Sequence, residues 1–225
     1  MNNLTLFLII LLILLLYILY YYFTLTSTVL ITNASLNEVQ DLISITSNPT
    51  STRYAYGIWI YINSWDPNRN KTIFSRDGNM KVYFDKLSPV LKCDINMTQT
   101  DAETAIITDG FPLQKWSHII VSADNDYFDF YLDGKLVKSV RAHEENSMPA
   151  TPVENAKIRL GDSDDTFDAY VTQFYHWNQP IDPETAWKTY MAGNGQSAVS
   201  NAVGSYSVNL HVLKDNIEHT KFQLL

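Results

Sequence analysis

Residues 4–23 read LTLFLIILLILLLYILYYYF, with no charge, proline or glycine, and no other feature constrains the chain so strongly. As a helix this run is about 30 Å long, the thickness of a bilayer's hydrocarbon core. Leucine dominates the middle, and Tyr17, Tyr20, Tyr21 and Tyr22 crowd the far end, where an amphipathic ring prefers the headgroup level. The expectation is a single N-terminal transmembrane anchor over residues 1–23, meeting lipid through Leu4, Phe7, Leu11, Leu15, Tyr20 and Phe23. A cleaved secretory signal would need a basic n-region and small residues at the cut, whereas Met1, Asn2 and Asn3 carry no side-chain charge and YYYFTLT has no A-x-A pattern. A core helix would carry a polar stripe, and this run has none. The first basic residue is Arg53, so the positive-inside rule leaves the orientation open.

The mean hydropathy of −0.12 therefore averages an apolar segment with a polar body. All of the formal charge of −8 lies after the apolar run, without a basic cluster, which excludes nucleic-acid binding by phosphate neutralisation. The one cysteine, Cys93, allows no intrachain disulfide. Residues 24–53 are rich in Thr, Ser and Asn and read as a stalk. Leu36, Val39, Leu42 and Ile43 have helical spacing, so a helical turn and an extended linker are equally open there.

From Tyr54 the signal is of short strands about ten residues apart, bounded by Asp, Asn, Gly and Pro, the pattern of an all-β antiparallel sandwich. YAYGIWIYIN, KTIFSR, MKVYFD, PVLKCDI, ETAIITD and WSHIIVSAD are strand candidates. In YFDFYLDGKLVKSV, Asp133-Gly134 supplies a two-residue type I′ turn. Counting outward pairs Leu132 with Lys135, Tyr131 with Leu136, Phe130 with Val137 and Asp129 with Lys138. Near the end the period changes: Asp182 as N-cap, Pro183 at the first position and Gly193 as terminator predict one short helix, with Ala186, Trp187, Tyr190 and Met191 packed on the sandwich. After about residue 196, Tyr206, Val208, Leu210 and Val212 alternate, and HTKFQLL returns after a turn at Asp215 and Asn216.

The segment WSHIIVSADNDYFDFYLDGKLVKS, followed by IRLGDS, YVTQFYHWNQPID and the helix ending in glycine, resembles laminin-G-like jelly-roll domains of the concanavalin A-like lectin/glucanase superfamily. The resemblance covers about Tyr54 to Gly195 and implies a domain over 54–225 with extra C-terminal strands. A membrane helix ahead of such a domain also resembles minor capsid and virion membrane proteins of large double-stranded DNA viruses. That architecture implies a single-pass protein linking an internal membrane to capsid or shell proteins.

Glucanases of the superfamily carry a Glu-x-Asp-x-Glu set, so that nucleophile and acid stand about 5 Å apart. No such triplet occurs here, which argues against an enzyme. The five histidines are scattered, with no H-E-x-x-H or C-x-x-C, and no zinc site is expected. The loop GDSDDTFD gathers Asp162, Asp164, Asp165 and Asp168, a calcium candidate because related domains bind calcium at a sandwich rim. Aspartates are equally ordinary turn residues. Trp65, Tyr127 and Trp177 are candidates for stacking on sugar rings, with burial in the core as the plainer alternative. The sequons at Asn33, Asn70 and Asn96 permit glycosylation only in a secretory lumen. The expected function is a non-enzymatic structural module, and the alternative is a carbohydrate-binding receptor or adhesin.

Overall fold

The computed structural model describes residues 3–24, 27–195, 209–214 and 217–223, with side chains for 5–19 and 27–195. Helix α1 (Asn3–Thr24) comes first, and its described side chains are exposed, among them Phe7, Leu11 and Leu15. Leu4, Tyr20 and Phe23 lie outside the described side chains. Among the described residues no helix is long and apolar enough to cross a membrane.

Two six-stranded antiparallel sheets follow. Sheet A holds β1 (Ser27–Ser35), β3 (Arg53–Ile62), β8 (Ser117–Asp124), β9 (Tyr127–Leu132), β10 (Lys135–Arg141) and β12 (Ala169–Trp177), in the order β1-β12-β3-β8-β9-β10. Sheet B holds β2 (Ile43–Ser44), β4 (Lys71–Arg76), β5 (Met80–Phe84), β6 (Leu91–Ile95), β7 (Glu103–Thr108) and β11 (Lys157–Leu160), in the order β2-β11-β4-β5-β6-β7. Ile58, Ile60 and Ile62 of β3, Ile119 and Val121 of β8 and Phe128 and Phe130 of β9 meet Phe74, Val82, Leu91, Cys93 and Ile158 from sheet B in one core. Burial pushes the Cys93 thiol well above its usual pKa, so it behaves as a small hydrophobe.

Strand β3 is buried on both faces, which is why its sequence shows no polar alternation. One face meets sheet B. The other is covered by helix α2 (Pro183–Met191), whose N-cap Asp182 accepts from the Thr185 amide at 2.7 Å. Gly193, at φ +80°, ends it and donates to Tyr190 O at 3.0 Å. Ala186 is fully buried beside Ala55, Ile120, Tyr131, Trp177 and Ile181. Trp187 and Met191, expected to pack inward, keep 44% and 65% of their surface exposed: the Trp187 ring lies over the Gly134 turn and beside Tyr190 at the margin of the sandwich, with its outer side in solvent.

Two expectations are corrected. Residues 24–53 are not a free stalk: β1 pairs along nearly its whole length with β12, and β2 pairs with β11, so the helical turn at Leu36 is absent and Leu36 lies in the core. The turn is type I′ as expected, with Asp133 at φ +48° and Gly134 at +75°. Beyond Leu136 the register shifts, so that Phe130 faces Lys138 and Asp129 faces Ser139. The ion pair between Asp129 and Lys138 does not form, and the Ser139 hydroxyl donates to Asp129 instead.

Strands β13 (Asn209–Lys214) and β14 (Ile217–Gln223) form a separate two-stranded sheet with Leu210 opposite Phe222. Tyr206, Val208, Asp215 and Asn216 lie outside the described residues, as do the side chains of Leu210 and Val212.

Candidate functional site

Three loops meet where β1, β3 and β11 end and β4 and β12 begin. Leu36 and Asn37 leave β1, residues 63–70 join β3 to β4, and residues 161–168 join β11 to β12. Backbone bonds tie them together: Leu36 N to Ala169 O at 2.8 Å, Phe167 N to Leu36 O at 3.1 Å and Asn63 N to Asp168 O at 3.0 Å. Between them lies an open cleft of about 310 Å³ lined by Asn37, Ser64, Asp66, Arg69, Phe167 and Asp168.

Asp168 is the hub of the cleft. It accepts from Asn63 Nδ2 at 2.7 Å, Ser64 Oγ at 2.8 Å and Asn37 Nδ2 at 3.2 Å. Those bonds, Ser64's first, hold its carboxyl below the usual carboxylate range. Arg69 donates to Thr166 O at 3.0 Å and stands 3.6 Å from Asp66. The floor of the 63–70 loop is set by Lys71, a lysine only 1% exposed whose ammonium donates to the carbonyls of Asp66 (2.5 Å), Arg69 (2.7 Å) and Lys86 (3.1 Å). The same ammonium lies 4.3 Å from the Trp65 ring centre, a cation–π contact.

The four aspartates do not converge. Asp165 accepts from Asn70 N at 3.0 Å and Nδ2 at 2.7 Å, bonds that lower its pKa, and Asp162 accepts from Thr72 Oγ1 and Asp164 N, both at 3.3 Å. Among the described residues no three acidic, histidine or cysteine side chains stand in metal-binding geometry. The carboxylates brace loops that a cation could otherwise brace.

The three aromatic candidates lie far apart. Trp65 is half-buried, edge-on to Phe84 at 5.8 Å, and borders a recess of about 270 Å³ with Leu113 and Gln114 next to the cleft. Tyr127 is 52% exposed at the other end of sheet A, with the Arg141 guanidinium 5.5 Å from its ring. Trp177 is 6% exposed and packs into the space left by Gly57, so it is a core residue unavailable to a sugar. Sequence reasoning missed Asn37, Asn63, Ser64, Arg69 and Lys71. None of them stood out in the sequence: even Lys71 opens a strand, KTIFSR, that also carries Thr72, Ser75 and Arg76.

A family model described as the concanavalin A-like lectin/glucanases superfamily, of laminin-G type, matches residues 37–186, two thirds of the chain. The chain belongs to that superfamily. No curated protein matches it in sequence. Among solved structures it is similar to the ligand-binding domain of botulinum neurotoxin serotype D in complex with N-acetylneuraminic acid, at 14% identity and a TM-score of 0.56, covering 74% of this chain and 46% of that one. It is similar to the receptor-binding domain of the botulinum neurotoxin C/D mosaic serotype at 13% identity and a TM-score of 0.55, with 72% and 46% covered. It is also similar to domain 4 of an extracellular arabinanase from Geobacillus stearothermophilus, in complex with arabinotriose, at 14% identity and a TM-score of 0.50, with 72% and 86% covered. The chain thus spans less than half the length of the toxin domains, and the likeness is one of fold.

Proposed function

We propose that this superfamily member is a non-enzymatic carbohydrate-binding module that presents the cleft around Asp168 to a hydroxyl-rich glycan. The observation that carries the reading is the cleft's lining. Carboxylate, amide, hydroxyl and guanidinium groups converge there on rigid loops, with the half-buried Trp65 alongside, and such groups exchange hydrogen bonds with sugar hydroxyls. The sialic acid and arabinotriose complexes of the similar domains support the ligand class. Asp66 and Asp168 lie on separate loops, and Asp168 is fixed by three donors, two on Oδ2 and one on Oδ1, which leaves Oδ1 able to accept from a ligand hydroxyl, an arrangement for holding rather than for acid–base attack.

The same proposal includes attachment to a lipid bilayer through residues 4–23, supported by the uncharged composition of α1. Strand β1 starts directly after this segment and runs to Ser35, so the chain crosses the length of sheet A before it reaches the cleft. A glycan array probed with the full chain in lipid nanodiscs tests the reading. Retention of one glycan class, lost in D168A and N63A and kept in Y127A, supports it, and no retention overturns it. The second reading, a virion part joining membrane to shell, shares the anchor and the acidic body. Stoichiometric co-purification with a shell protein, without glycan binding, would favour it.

A further inference from the structure

Strand β10 ends sheet A on the side away from β1 and, among the described residues, pairs with β9 alone. Six of its seven residues are exposed. An end strand turns alternate backbone N–H and C=O groups outward, a template for one more strand. The partners across β9 fix where its side chains stand. Leu136 lies opposite Tyr131, which is buried with Ala186 of α2, so Leu136 is on the α2 side. Lys135 lies opposite Leu132 and Lys138 opposite Phe130, both packed into the core between the sheets. The two ammonium groups therefore stand on the other side, along the seam where β10 meets β7, the end strand of sheet B.

The α2 side of this edge is apolar. Trp187 lies over the Gly134 turn, two residues before Leu136, and Trp187 and Leu136 keep 44% and 49% of their surface exposed. The seam side is cationic. Strand β10 carries Lys135, Lys138 and Arg141 and no acid. Arg141 pairs with Asp126 at 2.8 Å, whereas among the described residues neither lysine has an ion pair. The register shift beyond Leu136 sets Ser139 rather than Lys138 opposite Asp129, which leaves the Lys138 charge free. A second copy is a poor occupant, since antiparallel pairing of two β10 strands would set these cations against one another. A strand whose side chains alternate between apolar and acidic matches both sides at once, because successive residues point to opposite faces. We infer that the β10 edge accepts, by strand addition, an extended segment of another protein in which apolar residues alternate with Asp or Glu. The apolar ones cover Leu136 and the outer side of Trp187, and the acidic ones pair with Lys135 and Lys138. The edge shares no residue with the cleft and does not depend on what the cleft binds.

The probe is a fluorescent peptide of the length of β10 that alternates valine and glutamate, titrated by anisotropy against the full chain in nanodiscs. Beside it run a peptide alternating valine and lysine, and one with the same valines and glutamates in two blocks. The expected result is binding of the alternating Val–Glu peptide about tenfold or more tighter than of the other two. Methylating alternate peptide nitrogens should abolish this binding in one phase and leave it in the other, because only every second N–H faces the edge. Charge reversal in K135E/K138E should lose the Val–Glu peptide and gain the Val–Lys one, a swap that unfolding could not produce. D168A should bind as the wild type does. No binding of the Val–Glu peptide, equal binding of the block peptide, or indifference to methylation in both phases overturns the proposal. So does protection of the outward amides of β10 from hydrogen exchange in the free chain. Protection that grows with protein concentration would mean that a second copy holds the edge, and protection that does not would mean that this chain's own residues hold it.

Discussion

Replacing Lys71 by methionine isolates the contact that organises the cleft. Its ammonium satisfies three backbone carbonyls at 2.5, 2.7 and 3.1 Å and lies against Trp65. Methionine keeps most of the apolar stem and removes every donor. Each carbonyl left buried without a partner costs about 1–3 kcal/mol, and the cation–π contact adds about 1–2 kcal/mol. Relief of the ammonium's desolvation, and water entering from the exposed side of the 63–70 loop, offset part of this. The net destabilisation is about 3 kcal/mol, or about 6–12 °C in melting temperature for a domain of this size. K71R should not rescue, because a planar fork cannot aim three N–H groups at carbonyls converging on one point. Chemical denaturation followed by intrinsic tryptophan emission gives the stability. Hydrogen exchange across residues 64–70, compared with the distant β9–β10 hairpin, gives the locality. A K71M protein within about 0.5 kcal/mol of wild type would refute the assignment of Lys71 as an internal cation.

Burial holds His118 at a pKa of about 4, and His176, where Arg76 adds to the effect, also at about 4. Both values lie below that of the unfolded chain, so the unfolded state binds more protons between about pH 6.5 and 4, and stability is fully present above pH 6.5 and falls as pH drops through that window. For His118 alone the loss approaches about 3 kcal/mol. Among the described residues neither ring nitrogen of His118 has a hydrogen-bond partner, so H118F should be neutral or stabilising at pH 7 and should flatten the acid limb of a stability–pH curve; an unchanged limb would count against it. In G57A the new Cβ would stand 2.8 Å from the Trp177 ring, which overpacks the small core under α2 and costs about 1–3 kcal/mol, with partial relief in G57A/W177L; a neutral G57A by thermal melting would contradict the packing. Truncating the helix cap in D182A should cost about 1 kcal/mol by denaturant unfolding, and no change would show that α2 is held by its buried face alone.

Elements whose signal is local were legible in the sequence. Asp133-Gly134 needs no tertiary information, since two successive positive φ angles admit few other residues. The Asp182-Pro183 start and Gly193 stop of α2 are likewise self-contained. Features set by distant partners were not legible. Strand β1 is polar and mostly exposed, so its sequence resembles a linker, and only β12, far along the chain, makes it a strand. The register shift beyond Leu136 falls on β10, an exposed edge strand whose residues show no inward alternation to pin the pairing. At the cleft the aspartates were visible as a composition. Their role was not, because the groups that engage them, Asn37, Asn63, Ser64 and Asn70, come from loops about a hundred residues earlier. Trp177 misled because its burial depends on a glycine in another strand.

The most direct test of the central claim is hydrogen–deuterium exchange of the full chain in nanodiscs, with and without a saturating glycan taken from the array. The expected result is protection concentrated in residues 36–38, 63–70 and 165–168, abolished in D168A. Protection that leaves these three loops unchanged while the glycan is bound would contradict the account.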